Sequence, residues 1–132
     1  MATTRIMVVD DSPTDLAFIG AMLKRNGFDV ILANGGEAAI KRATSQQPHV
    51  ILMDLVMPGV NGFQATRIIA HAEATKHIPI IICTSKNQET DRIWGMRQGA
   101  KAYVSKPVVE GEILEKIDLL AGTKRVATTA AA

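Results

Sequence analysis

The sequence lacks the features of a disulfide-rich or membrane-bound protein. Cys83 is the only cysteine among 132 residues, so no disulfide can form within the chain, and its place in an apolar run predicts a buried thiol. No apolar stretch approaches the roughly 18 residues that a membrane span needs. The first apolar run, residues 6–9, ends at two aspartates and is too short for a secretion signal. We expect a cytoplasmic protein with no membrane association.

The sequence also lacks a strong excess of either charge. Fifteen lysines and arginines stand against thirteen aspartates and glutamates, which gives a formal net charge of +2. A dedicated nucleic-acid binder carries a much larger basic excess, so no nucleic-acid partner is expected. The length fits one domain of ordinary size, and 47% hydrophobic residues suffice for a core. We assign this domain to residues 1–122 and expect the Ala- and Thr-rich tail, residues 123–132, to be disordered.

The hydrophobic pattern alternates between two kinds of segment. Short apolar runs without polar alternation are typical of strands that are covered on both faces of a parallel sheet. They occupy residues 6–9, 30–32, 50–53, 80–83 and 103–104. Between and after them, apolar residues at helical spacing predict helices over residues 14–25, 36–45, 62–72, 88–98 and 110–120. The pattern predicts an α/β fold, a doubly wound five-stranded parallel sheet with five helices.

Polar residues that could bind a metal or take part in a reaction follow four of the predicted strands. Because the carboxyl ends of parallel strands meet at one edge of the sheet, we expect these residues to converge there. They are Asp10, Asp11, Asp54, Thr84 and Lys106. Carboxylates that crowd together repel one another unless a cation compensates, and oxygen ligands without nearby His or Cys favour Mg²⁺. His49, His71 and His77 fall elsewhere and are read as surface residues.

Asp54 is the candidate nucleophile of this predicted site. No helix begins directly after it, so the usual role of an aspartate as a helix cap does not account for it, whereas that role stays open for Asp11. Aspartate can accept a phosphoryl group, and the added negative charge of an acyl phosphate could be met by Lys106, the Thr84 hydroxyl and backbone N–H groups. Asp54, Lys106 and Thr84 therefore form the candidate catalytic set.

These residues resemble a known family. The chain resembles the receiver domain of bacterial two-component response regulators. The resemblance is carried, in this order, by Asp10-Asp11, Asp54 with Met57-Pro58-Gly59, Thr84-Ser85 and Lys106-Pro107. The resemblance implies a CheY-like, flavodoxin-like fold with strand order 2-1-3-4-5. It implies phosphorylation of Asp54 by a histidine kinase. It also implies that Mg²⁺ is bound directly by Asp11, Asp54 and the Val56 carbonyl, and by Asp10 through a water molecule. It also implies a cis bond before Pro107.

The same resemblance implies a switch pair, Thr84 and Tyr103, that remodels the face made by helix 4, strand 5 and helix 5. Tyr103 as an ordinary half-buried strand residue stays open. Within the predicted helix 4, we expect Ile93 and Met96 to point inward. Trp94 is then either a core residue or an exposed anchor for a partner.

Local similarity narrows the family further. Residues 54–67 and 88–95 are similar to PilH-type single-domain receivers of type IV pilus chemosensory systems, which control twitching motility. This similarity implies a CheA-like kinase as phosphodonor, a downstream protein target on the helix 4, strand 5 and helix 5 face, and a monomer or weak dimer. A receiver that acts as a phosphate sink in another chemosensory pathway is the alternative within the family.

Two other classes of protein are weighed against a receiver. A phosphohydrolase of the haloacid dehalogenase type needs an Asp-x-Asp signature after the first strand, but Asp10-Asp11 is followed by Ser12 and Pro13. A flavodoxin-like mononucleotide binder needs a loop that cradles phosphate, and the two aspartates would repel one. The sequence therefore favours a receiver that catalyses only its own phosphorylation and dephosphorylation.

Overall fold

The computed structural model describes residues 3–122 and shows five strands alternating with five helices. The strands are β1 (Arg5–Val9), β2 (Asp29–Ala33), β3 (Val50–Met53), β4 (Ile80–Thr84) and β5 (Ala102–Ser105). The helices are α1 (Pro13–Arg25), α2 (Gly36–Gln46), α3 (Gly62–His71), α4 (Glu89–Gln98) and α5 (Glu110–Ala121). The predicted elements are confirmed, and no end shifts by more than one residue. The tail predicted over residues 123–132 lies outside the described residues.

All strand pairs are parallel, and the sheet order is β2-β1-β3-β4-β5. This is the flavodoxin-like order that the family resemblance implies, so the predicted fold class is confirmed. None of the helices in residues 3–122 has the length and apolar character needed to cross a bilayer.

The sheet is covered on both faces because alternate strand residues point to opposite sides. On one face, Ile6 and Val8 of β1 pack in a core with residues of α1 and α5, such as Leu23 and Ile113. On the other face, the strand residues in between pack against α2 and α3, and include Met7. Every residue of β3 and β4 is buried. This two-sided burial explains the unbroken apolar runs in the sequence.

Helix α4 differs from its prediction. Ile93 and Met96 are exposed, and the buried residues of this helix are Gly95 and Gln98. The inward placement of Ile93 and Met96 was therefore wrong. A Cβ atom at Gly95 would lie 2.5 Å from the Ile82 side chain, so the helix backbone approaches β4 closely at this glycine. Close approach by a glycine leaves the large apolar side chains of α4 on its outer surface.

The strand register sets the position of the polar residues at the carboxyl edge. Val9 of β1 pairs with Met53 of β3, so Asp10 and Asp54 leave the sheet side by side. The Asp54 N–H donates to the Val9 carbonyl over 3.0 Å, which extends the ladder by one step. At the other side of this edge, the Lys106 N–H donates to the Thr84 carbonyl over 2.9 Å. The sheet thus delivers residues that are far apart in sequence to one place.

Candidate functional site

Three aspartates cluster at the carboxyl edge of the sheet, as the sequence predicts. Asp10, Asp11 and Asp54 each offer a carboxylate oxygen, and these oxygens all lie within 4.8 Å of one another. Asp10 and Asp54 are buried, whereas Asp11 is exposed. A purely oxygen donor set with one solvent-facing member suits a hard divalent cation that keeps part of its water shell. The residues present therefore fit Mg²⁺.

Asp54 sits directly beyond β3 and is only 7% exposed. Its Oδ1 accepts a hydrogen bond from the Leu55 N–H over 2.9 Å, and its Oδ2 lies 4.0 Å from the Lys106 Nζ. Burial raises the pKa of the Asp54 carboxyl, a hydrogen bond from Thr84 lowers it, and the Asp10 charge raises it again. One oxygen is thus fixed by the backbone while the other faces the ammonium group.

Lys106 points into the site and is held there by ion pairs. Its Nζ lies 2.5 Å from Asp10 Oδ2 and 2.9 Å from Asp15 Oδ2. Burial alone would lower the pKa of the Lys106 ammonium, but the hydrogen bonds to Asp10 and Asp15 outweigh burial and raise it above its ordinary value. Lys106 is therefore a permanent cation of the site. The Lys106–Pro107 peptide bond is cis, as the family resemblance implies.

Asp15 is the member of the site that the sequence analysis missed. It lies in the first turn of α1, whose N-cap is Ser12, and its N–H donates to the Ser12 Oγ over 3.2 Å. An acidic residue there is ordinary because it complements the helix dipole, which hides any second role. Its spacing from Asp11 gives no signal, because Asp11 precedes the N-cap and is not part of the helix.

Thr84 and Tyr103 both contact the loop between β4 and α4. Thr84 is fully buried, and its Oγ1 accepts a hydrogen bond from the Lys86 N–H over 3.3 Å. The Tyr103 hydroxyl donates to the Lys86 carbonyl. The Lys86 ammonium in turn pairs with Asp91 of α4 over 3.4 Å. The two predicted switch residues are therefore linked through one residue, Lys86.

One other predicted residue, Val56, lies near the site, whereas the three histidines do not. The Val56 side chain, two residues after Asp54, is 56% exposed. His49, His71 and His77 are exposed and away from the aspartates, as expected. Gly62 packs under the site, because a Cβ there would lie 2.0 Å from the Asp54 carbonyl oxygen. Only glycine lets α3 begin this close to the strand that carries Asp54.

The fold and this carboxyl-edge cluster define a class of protein. Residues 6–118 match the family of response regulator receiver domains, so the chain belongs to the response regulator receiver family. Such domains take phosphoryl groups from histidine kinases, and the chain is a receiver and not a classical enzyme.

Relatives make the assignment more specific. The chain is 50% identical over 119 residues to the protein PilH of Pseudomonas aeruginosa, a match that covers 89% of this chain and 98% of PilH. PilH is therefore a relative of matching length. The chain is also 32% identical over 124 residues to the response regulator PleD of Caulobacter vibrioides, covering 94% of this chain and 27% of PleD. Here it corresponds to one part of a larger protein.

Solved structures agree with the fold. The receiver domain of a sensor histidine kinase from Pseudomonas aeruginosa, solved with a magnesium ion coordinated in its active site cleft, has a TM-score of 0.85 and 32% identity to this chain. The match covers 92% of this chain and 100% of that domain. The chemotaxis protein CheY4 of Vibrio cholerae shares the fold with a TM-score of 0.84 at 24% identity, over 90% of this chain and 99% of CheY4.

Proposed function

We propose that this receiver accepts a phosphoryl group on Asp54 from a histidine kinase and signals by a change in protein binding. The observation that carries the proposal is the asymmetry of the Asp54 carboxylate. Oδ1 is fixed by the Leu55 N–H, and Oδ2 faces the Lys106 ammonium at 4.0 Å. An oxygen in this position can attack a phosphorus atom while the lysine meets the negative charge that is delivered.

The transfer step breaks one bond and forms one. The Asp54 oxygen attacks phosphorus, the bond from phosphorus to the histidine nitrogen of the kinase breaks, and its electron pair returns to the imidazole. The product is an acyl phosphate on Asp54. Lys106 contacts the transferred group, and the buried Thr84 hydroxyl, which accepts from the Lys86 N–H and keeps its own proton, can donate to a phosphoryl oxygen.

Mg²⁺, when bound, supplies charge neutralisation for the carboxylates and for the phosphoryl oxygens during transfer. The proposed direct ligands are Asp11, Asp54 and the Val56 main-chain carbonyl, and Asp10 is proposed to hold the ion through a water molecule. The clustered oxygens support the three side-chain ligands.

The proposed output surface is the face of α4, β5 and α5. It exposes large apolar side chains, of which Trp94 on α4 is 50% exposed. Ile93 and Met96 on α4 and Leu119 on α5 are exposed as well. Exposed aromatic residues are frequent anchors of protein interfaces. This exposure supports Trp94 as a partner anchor over Trp94 as a core residue, and Tyr103 connects the face to Lys86 beside Thr84.

Similarity to PilH supports a particular pathway. We propose that the phosphodonor is a CheA-like histidine kinase and that the chain acts in chemotaxis-like control of type IV pilus twitching motility. The match covers 98% of PilH, so the similarity that supports this pathway extends over nearly the whole of that relative.

The decisive experiment measures phosphorylation of Asp54. Purified protein is mixed with acetyl phosphate and Mg²⁺, and intact mass spectrometry scores the phosphoryl group, while Trp94 fluorescence reports on α4. We expect one Mg²⁺-dependent phosphoryl group, which Asp54→Asn abolishes. Asp29→Asn is the matched control, because Asp29 is an exposed aspartate at the start of β2, away from the site. Label that persists in Asp54→Asn would refute the assignment.

The pathway is tested separately. Radiolabel transfer from purified CheA-like kinases to the wild type and to Asp54→Asn identifies the donor, with transfer expected only to the wild type. Trp94→Ala is expected to accept the phosphoryl group at the normal rate but to lose binding of the downstream target. A Trp94→Ala variant that binds its target normally would exclude this residue as an anchor.

A further inference from the structure

One ion pair of the site has no part in the proposed transfer. The Lys106 Nζ contacts Asp15 Oδ2 at 2.9 Å, closer than its 4.0 Å distance to Asp54 Oδ2. Asp15 belongs to α1, and its carboxylate is not among the oxygens that cluster for a cation. Its side chain is 42% exposed, whereas the Lys106 side chain is 15% exposed. A partly solvated carboxylate thus holds a largely buried ammonium from the outer side of the site.

The second contact of Lys106 creates a conflict. Its Nζ lies 2.5 Å from Asp10 Oδ2, and the Asp10 carboxylate is proposed to hold Mg²⁺ through a water molecule. The Asp10 Oδ1 already accepts a hydrogen bond from the Ser12 N–H over 3.0 Å. The metal and the ammonium therefore compete for Asp10, and a cation next to a cation site weakens metal binding.

Asp15 resolves this conflict. When the Asp10 carboxylate interacts with the metal, its ion pair with Lys106 weakens. Lys106 would then be a partly buried cation with a weaker counter-charge, which costs free energy. The Asp15 carboxylate keeps a charge-assisted hydrogen bond to the same ammonium and so lowers the cost of releasing Asp10. Because Asp15 does not reach the metal cluster, it acts through Lys106.

We propose that Asp15 is a positioning residue that retains the Lys106 ammonium while Asp10 serves the metal, and thereby raises the affinity of the site for Mg²⁺. This inference rests on the proposed function, because it takes Mg²⁺ to bind at Asp10, Asp11 and Asp54. It assigns to Asp15 a role beyond that of an acidic residue in the first turn of α1. The role predicts that the effect of Asp15 on the metal depends on Lys106.

Isothermal titration with Mg²⁺ alone tests this dependence. We expect Asp15→Asn to weaken Mg²⁺ binding by about fivefold, the effect of one partly solvated charge-assisted hydrogen bond. Asp15→Glu, which keeps the carboxylate, should restore most of the affinity. In a Lys106→Met background, Asp15→Asn should change the affinity by less than about twofold. Glu37→Gln is the control, since Glu37 is likewise an acidic residue in the first turn of a helix, α2.

Urea denaturation in EDTA provides a readout without metal. A double-mutant cycle of Asp15→Asn and Lys106→Met should show that the two changes are coupled by at least about fivefold in the unfolding equilibrium constant. Coupling in EDTA together with Lys106-dependent loss of Mg²⁺ affinity would support the proposal. Equal losses of affinity in both backgrounds, a loss no larger than that of Glu37→Gln, or absent coupling would overturn it.

Failure of the inference and failure of the proposed function give different results. If the wild type binds Mg²⁺ and is phosphorylated on Asp54 but Asp15→Asn has no Lys106-dependent effect, only the role of Asp15 is wrong. If Asp54 is not phosphorylated in the wild type, the proposed function is wrong.

Discussion

Replacement of the Asp54 carboxylate by an amide, in Asp54→Asn, should stabilise the metal-free protein. Asp54 is buried, and burial is the main reason that its pKa lies above the ordinary value. In Asp54→Asn the new side chain would keep an oxygen for the Leu55 N–H and gain an amide that can donate to Asp10. In the wild type, burial of the ionised Asp54 side chain costs solvation free energy of several kcal/mol. The hydrogen bonds from Leu55 and Thr84 offset most of this cost. We expect Asp54→Asn to raise the free energy of unfolding by about 1 kcal/mol at neutral pH in EDTA.

In Mg²⁺, the wild type should become more stable than Asp54→Asn. At a concentration about one hundred times its dissociation constant, a ligand that binds only the folded state adds about 2.7 kcal/mol to stability. The wild type should gain this amount, whereas Asp54→Asn, which lacks one anionic ligand, should gain less. The assay is urea denaturation of both proteins in EDTA and in excess Mg²⁺, with Asp29→Asn as the control that follows the wild type in both conditions.

The pH dependence has a definite sign. A carboxyl whose pKa is raised in the folded state destabilises that state only when it is ionised, so its penalty is complete above the folded pKa. The penalty disappears as the pH falls toward the ordinary pKa of 3.8. The advantage of Asp54→Asn in EDTA should therefore shrink on acidification. An Asp54→Asn variant less stable than the wild type in EDTA, or a stability order unaffected by Mg²⁺, would refute the reasoning.

Three further predictions concern packing around the site. Gly62→Ala should lower the free energy of unfolding by more than about 3 kcal/mol in urea denaturation, because its Cβ would lie 2.0 Å from the Asp54 carbonyl oxygen and 2.7 Å from the Leu55 Cα; a loss below about 1 kcal/mol would contradict it. Thr66→Val should raise it by about 1 kcal/mol, because the buried Thr66 hydroxyl has no hydrogen-bond partner among the described residues; destabilisation would show that a partner exists. Cys83 should react with a thiol reagent only upon unfolding, because burial raises its pKa to about 12; rapid labelling of native protein would contradict it.

Much of the site was predictable because one rule places it. Parallel strands end at a common edge, so Asp10, Asp54 and Lys106 could be placed together from their positions after apolar runs alone. The strand order could not be predicted in this way, since the lengths of the connections fit several orders. It followed from the family resemblance and was confirmed by the pairing of β1 with both β2 and β3.

Two features escaped prediction for physical reasons. Asp15 occupies a helix position where an acidic residue is favoured by the dipole, so only the orientation of its side chain shows the contact with Lys106. We predicted the buried face of α4 from its apolar residues. In the structure, Gly95 lets the bare backbone pack against β4, so Ile93 and Met96 face outward. Helical spacing identifies a buried face only when side chains fill the contact.

The bond between Lys106 and Asp10 spans 96 positions of the chain and joins the loop after β5 to the loop after β1, although two other strands separate these strands in the sheet. β5 lies at the border of the sheet, where only one neighbour holds it. A fragment that ends before β5 would keep all three aspartates and lose the cation that balances them. Proteolytic removal of β5 should therefore abolish phosphorylation of Asp54, because Lys106 is lost together with the strand.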